Sequence, residues 1–250
     1  MFVHNINPVL VSLGPFEIRY YGLVFVIGFL LAYYFLNKKR EELGIEKKDV
    51  ENFLLYLILG TIIGARLFHI FLWEPGYYLS NPSQLLAVWR GGLSLHGGLV
   101  GVIAVTYYFS KKHKIKLMKL ADVLTLPALF GLALGRFANF MIGVIVGIVT
   151  IVRWCVEFPN YSGCRHPVQL YGAIGRFLLF GYLLDVMKHK KFKDGFIFWM
   201  FIFFMGIGRF VVDFLREDPR VLGLSMGQYL SLIMALVGGY VLWKYYRKEK

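Results

Sequence analysis

Seven apolar stretches set the terms for this chain: residues 20–36, 53–73, 93–109, 120–140, 169–187, 195–215 and 224–243. A helix needs roughly 20 mostly apolar residues to cross the hydrocarbon of a bilayer, and each stretch meets that length closely enough. With 58% hydrophobic residues and a mean hydropathy of +0.59, the chain is too apolar for a soluble domain. The expected fold is all-α: a polytopic integral membrane protein of about seven transmembrane helices. It reads as a single transmembrane domain over residues 1–250, with outside loops at 74–92, 141–168 and 216–223. Ahead of the first span, Asn7-Pro8 and Gly14-Pro15 suggest an irregular segment on the membrane surface.

The formal charge of +13 is unevenly placed. Lys38, Lys39, Arg40, Lys47 and Lys48 fall in one loop, and Lys111, Lys112, Lys114, Lys116 and Lys119 in another. Lys188, Lys190, Lys191 and Lys193 make a third cluster, and Lys244, Arg247, Lys248 and Lys250 close the chain. The alternate segments hold only Arg19, Arg90, Arg153, Arg165, Arg216 and Arg220. The positive-inside rule gives an outside N-terminus and a cytoplasmic C-terminus, which requires an odd number of spans. Because the basic residues flank spans, they need no acidic partner, and nucleic acid is not expected as one. Residues 1–19 lack a basic n-region followed by a cleavage site, so the first span is expected to stay as an anchor. Cys155 and Cys164 share an outside loop, where a disulfide and two free thiols both fit the sequence.

Four arginines fall inside spans: Arg66, Arg136, Arg176 and Arg209. An arginine at a span centre costs about 3 kcal/mol on insertion scales, so it turns toward a bundle interior and a partner. Arg136 and Asn139 share a helical face beside the small residues Gly131, Gly135 and Ala138, where an anion or polar head group could sit. Gly60 and Gly64 form a packing seam just before Arg66 and His69, leaving Arg66 either structural or lipid-binding. His96 opens the third span between Gly91-Gly92 and Gly97-Gly98, glycines that suit a close approach; it is either a structural histidine or part of a site. Arg209 and Asp213 stand four apart, the spacing of an intrahelical ion pair. Tyr20 and Tyr21 occupy an interfacial belt position. Counting about 1.5 Å per residue, Arg66, His96, Arg136, Asn139 and Arg209 all lie in the outward half of their spans. A cationic cavity at that level suits a phosphate-bearing lipid of the outer leaflet.

Several stretches, in order along the whole chain, resemble the prolipoprotein diacylglyceryl transferase family: IRYYGLVFVIGF (18–29), GARLFHIF (64–71), WRGGLSLHGGLVGV (89–102), GRFANF (135–140), RHPVQLY (165–171) and GRFVVDFLREDP to MGQ (208–228). The resemblance implies a multi-pass enzyme of the bacterial inner membrane. Its reaction would move the diacylglyceryl group of phosphatidylglycerol to the lipobox cysteine of a prolipoprotein signal peptide, forming a thioether and releasing glycerol 1-phosphate. It implies further that Arg136 binds the phospholipid, that His96, Asn139 and Tyr21 are essential, that Arg209 is functional and that Gly147 is needed for activity. His96 is then expected to assist thiol deprotonation, and Arg136 and Arg209 to hold the phosphate with Arg66 helping. Asn139 and Tyr21 would orient the lipid, and Arg216 and Asp213 belong with the substrate-binding set. No cofactor or metal is expected, since His69 and His96 lack ligand partners at a metal-site spacing. Four positions depart from the family pattern: Ile142 and Val144 replace Asn and Glu, Asp213 replaces Glu, and Gly172 replaces a common Glu. Either Asp213 substitutes for the acidic group missing at Val144, or the chain is impaired. A transporter with arginines lining an anion path and an inactive membrane scaffold are the alternatives.

Overall fold

The computed structural model describes residues 2–13, 16–189 and 192–247. Gly14-Pro15, Lys190, Lys191, Lys248 and Lys250 lie outside the described residues, as do the side chains of Arg19 and Arg90. The long elements are α-helices: α1 (Tyr20–Leu43), α2 (Lys47–Phe68), the short α3 (Pro75–Ser80), α4 (Leu95–Lys112), α5 (Leu117–Ile142), α6 (Val168–His189), α7 (Phe196–Val212) and α8 (Met226–Val241). Six helices among the described residues are long and apolar enough to cross a membrane, which makes this a multi-pass, mostly helical membrane protein. The seventh expected stretch forms α4, which at 18 residues is long enough but falls outside that group by its composition. His96 with three glycines at one end and Lys111-Lys112 at the other dilute its apolar run.

Helices outrun the apolar stretches where the flanking charged residues favour helix. α1 continues through Lys38-Lys39-Arg40-Glu41-Glu42, good helix formers with Lys39 paired to Glu42 at 2.6 Å. It stops where Gly44 takes φ +69 and the amides of Gly44 and Ile45 return to Glu41 and Arg40, a left-handed glycine cap. The N-terminal segment differs from the irregular stretch expected. It supplies β1 (Phe2–Val3) and an antiparallel pair, β2 (Val9–Leu13) with β3 (Phe16–Arg19). The Val-Leu-Val-Ser-Leu run of β2 has the β-branched, alternating character of a strand. β1 joins β4 (Val156–Glu157) and β5 (Cys164–Arg165) in a small sheet, and β6 (Arg220–Val221) pairs with β7 (Leu224–Ser225).

The chain divides into two compact units, Ala32–Val123 and a two-segment unit formed by the residues on either side. In the 32–123 unit, α2 and α4 meet through glycine. A side chain at Gly64 would strike the Gly97 carbonyl, and one at Gly101 would strike that of Gly60. The small-residue seam expected on α2 is therefore matched by Gly97 and Gly101 on α4. Phe53 stacks on Phe109 with centroids 4.1 Å apart at the buried end of this seam. In the two-segment unit, α7 packs on α8 where Gly206 faces Ser231 and Ala235 and Gly238 faces Phe203. Phe130 of α5 packs against Phe177 and Phe180 of α6.

Candidate active site

The two-segment unit gathers most of the polar residues singled out in the sequence. α5 carries Arg136 and Asn139 one turn apart near its end, where Gly143 at φ +78 stops the helix. Asn139 is buried and accepts a hydrogen bond from the Tyr21 hydroxyl at 2.6 Å, tying the first turn of α1 to the last turn of α5. Arg136 has no hydrogen-bond or salt-bridge partner among the described residues. It lies in the field of Arg209 and Arg216, opposed by the carboxylate of Asp213.

A tight cleft brings Arg136 together with Arg176, Arg209, Arg216 and Asp213, with Gly172 and Val168 completing its wall. Its volume, about 20 Å³, holds little more than one water, which needs roughly 10–15 Å³. A phosphate would enter only as the arginine side chains swing aside. Asp213 follows α7 directly and is 3% exposed, its Oδ2 lying 3.4 Å from Arg209 Nε. The pair expected from the spacing is thus formed, and it is held from a second side. A Cβ at Gly227 would fall 2.7 Å from Asp213 Oδ2 and 3.0 Å from Arg209 Nη2. Gly227 stands in the first turn of α8, whose positive end favours a carboxylate. That turn is secured by a capping box between Ser225 and Gln228, and Gln228 Nε2 also donates to Phe210 O at 3.3 Å.

Gly147 and Arg216 face each other across an antiparallel bridge, and Ile148 N donates to Leu215 O at 2.9 Å. A Cβ at Gly147 would come 2.5 Å from His166 O and 2.8 Å from Leu215 O. Space alone requires glycine there, and the residue acts by setting the backbone that presents Arg216. Arg216 itself pairs with Asp218, Nε to Oδ2 3.0 Å. Arg165, 5% exposed, locks the same loop by donating to Gly147 O at 3.0 Å and to Ser162 O at 3.1 Å and by pairing with Glu217. Cys155 and Cys164 are disulfide-bonded, so of the two readings of these residues the bridge is the one formed. Val144 is 38% exposed, and its carbonyl accepts from Gln169 Nε2 at 2.9 Å. Among the described residues, Asp213 is left as the only acidic one lining the cleft.

Arg66 and His96 belong to the 32–123 unit. Arg66 is 6% exposed and spends its donors on carbonyls: Nε on Leu85, Nη1 on Gly91 and Gly92, and Nη2 on Gln84. Its guanidinium also lies over the Tyr78 ring, 4.9 Å from the centroid. These bonds hold the 84–92 loop to α2. His96, second residue of α4, is exposed and lines an open cleft with His69, Glu74 and Ser94. His69 Nε2 stands 3.5 Å from Glu74 Oε2. Ser94 caps α4 and donates its own N–H to Ala65 O at 3.0 Å. What approaches Gly97 closely is α2, at Gly64 and Phe68. The glycine after His96 is therefore accounted for by helix packing.

Sequence reasoning did not place Arg176, Arg165 or Gly227 in or around a site. Arg176 carried the same signal as Arg136, a charge within a span. Arg165 and Gly227 sit in the RHPVQLY and MGQ motifs, but nothing local says what they touch.

Comparison with known proteins shows the family of the chain. Residues 8–244 match the family described as prolipoprotein diacylglyceryl transferase. The phosphatidylglycerol--prolipoprotein diacylglyceryl transferase of Geobacter sulfurreducens is 41% identical over 242 residues, covering 94% of this chain and 93% of the relative. Proteins of the same name from Rickettsia canadensis and Rickettsia africae are 38% and 39% identical over 249 residues, covering 95% of this chain and 96% of each relative. By the extent of these matches, this multi-pass membrane protein belongs to the prolipoprotein diacylglyceryl transferase family.

Proposed function

We propose that this chain transfers the diacylglyceryl group of phosphatidylglycerol to the thiol of a lipobox cysteine in a prolipoprotein signal peptide. The observation that carries the reading is the cleft in which Arg136, without a partner of its own, joins three further guanidinium groups against one lining carboxylate. Such a set binds a phosphate ester, and relatives named for this reaction match nearly the whole chain. The thiol has an ordinary pKa of about 8.5 and needs a base to become the thiolate nucleophile. His96 takes that proton. The sulfur then attacks the glyceryl carbon next to the phosphate, the C–S bond forms and the C–O bond breaks. Its electron pair leaves with glycerol 1-phosphate.

Arg136 and Arg209 hold the phosphate, Arg209 in an orientation fixed by Asp213 and Gly227. The Tyr21 hydroxyl and Asn139 amide orient the lipid by hydrogen bonds. Arg216 supplies further positive charge, while Gly147 and Arg66 act through the backbone segments that they position. In the membrane, α4 completes seven spans with the N-terminus outside, and the arginine cleft faces the outer leaflet of a bacterial cytoplasmic membrane. That orientation rests on the distribution of Lys and Arg.

Asp213 takes the place of the acidic group that Val144 lacks. Purified protein assayed for transfer from phosphatidylglycerol to a lipobox peptide, beside its Val144→Glu variant, tests this reading. Turnover by the unaltered chain supports it. Turnover only after Val144→Glu would mean that Asp213 does not suffice, and silence in both would favour an anion transporter, which flux into vesicles would reveal. In an active chain, normal turnover by His96→Ala would remove the base assigned here.

A further inference from the structure

The reaction changes the charge of the group that leaves. The phosphodiester of phosphatidylglycerol carries one negative charge. As the C–O bond breaks, the phosphate oxygen keeps the electron pair, and glycerol 1-phosphate departs as a monoester with a second ionisation near about pH 6. A site that binds diester and monoester equally well does nothing for the chemical step. Extra positive charge that favours the dianion speeds it.

The cleft holds more positive charge than a diester requires. Arg209 is paired with Asp213, and Arg216 with Asp218. Among the described residues, Arg136 and Arg176 have no carboxylate within ion-pair distance. Arg176 donates from Nη1 to Gly172 O at 2.7 Å, and its Nε is buried with no acceptor among the described residues. It reaches this position because residue 172 lacks a side chain. A Cβ there would stand 2.8 Å from Arg176 Nη1 and 3.6 Å from Arg136 Cγ and Cδ. Gly172 and Arg176, one turn apart on α6, therefore work together: the absence of one side chain makes room for the other.

We infer that Arg176 binds the phosphomonoester leaving group, with Gly172 as the residue that admits its guanidinium to the cleft. The inference rests on the transferase reading for its role in turnover, but the preference for a dianion is a property of the cleft itself. Arg136 and Arg209 grip the phosphate in both substrate and product. Arg176 makes its main contribution as the second negative charge develops.

Two soluble probes separate the charges: sn-glycerol 1-phosphate, a monoester, and glycerophosphoglycerol, a diester. Calorimetric titration of the purified full chain in phosphatidylcholine nanodiscs should show Arg176→Gln and Gly172→Ala each weakening the monoester about tenfold, with the diester changed less than about twofold. Arg176→Lys should recover part of the loss. In the transfer assay, Arg176→Gln should lower kcat about tenfold with KM for phosphatidylglycerol nearly unchanged. Equal weakening of both probes, or of neither, would overturn the inference, as would a loss confined to KM. If the unaltered chain prefers the monoester yet transfers nothing, the transferase reading fails and the assignment of Arg176 to dianion binding stands. Arg176→Lys, which keeps the charge, guards against a fold lost with Arg176→Gln.

Discussion

Arg66 and Arg136 begin in nearly the same local sequence, Gly-Ala-Arg-Leu-Phe and Gly-Arg-Phe within an apolar span, and end in opposite states. Arg66 donates to four backbone carbonyls and covers a tyrosine ring. Arg136 donates to nothing among the described residues and lies among like charges. Both are costly to keep in hydrocarbon. For Arg66 the compensation is internal, because the carbonyls of the 84–92 loop would otherwise be short of donors. For Arg136 the Asp213 carboxylate offsets the neighbouring guanidinium groups only in part, and among the described residues no group accepts its hydrogen bonds. A buried arginine is thus read by where its donors go.

The largest expected effect breaks the Arg66 side of the contrast. Arg66→Met should destabilise the protein by about 3–5 kcal/mol, since it strands several buried carbonyls. A fall in melting temperature with transfer per folded molecule within about threefold of the unaltered chain would show a structural residue. Undiminished stability with lost turnover would erase the contrast. Next comes Gly147→Ala, where the added methyl meets two carbonyls and the loop must move. A cost of about 1–3 kcal/mol is expected from overpacking, read in a melting curve, together with weaker binding of a phosphate probe as Arg216 shifts. Tyr21→Phe removes one hydrogen bond to Asn139 and should lower kcat/KM about tenfold, equivalent to about 1.4 kcal/mol, a typical value for such a bond. The smallest effect sharpens the Arg136 side. Asp218→Asn leaves Arg216 unpaired, and the affinity for glycerol 1-phosphate should rise about two- to threefold, the scale of a part-exposed ion pair.

The sequence made some of this contrast visible and hid the rest. The spans and the arginines inside them stand out because hydropathy and a lone charge are local signals. The helix ends were less clear: α1 runs on to Leu43 because Lys and Glu sustain a helix that apolar counting ends at Leu36. The pairing of Val9–Leu13 with Phe16–Arg19 was hidden, because Gly and Pro in the sequence there read as breakers of regular structure. The spacing of Arg209 and Asp213 announced their pair, but not Gly227, which comes from another helix. Gly147 is constrained by His166 and Leu215, residues far along the chain. The different fates of Arg66 and Arg136 were illegible, because a guanidinium's acceptors belong to loops whose path no short motif records.

The central claim is that Arg136, which donates to nothing among the described residues, awaits a phosphate ester, and transfer by Arg136→Gln tests it most directly. Measured from phosphatidylglycerol to a lipobox peptide, alongside the melting temperature of the same preparation, turnover should fall by about 100-fold or more while the melting temperature is kept or raised. Turnover within a few-fold of the unaltered chain, or a loss that merely follows unfolding, would contradict the account.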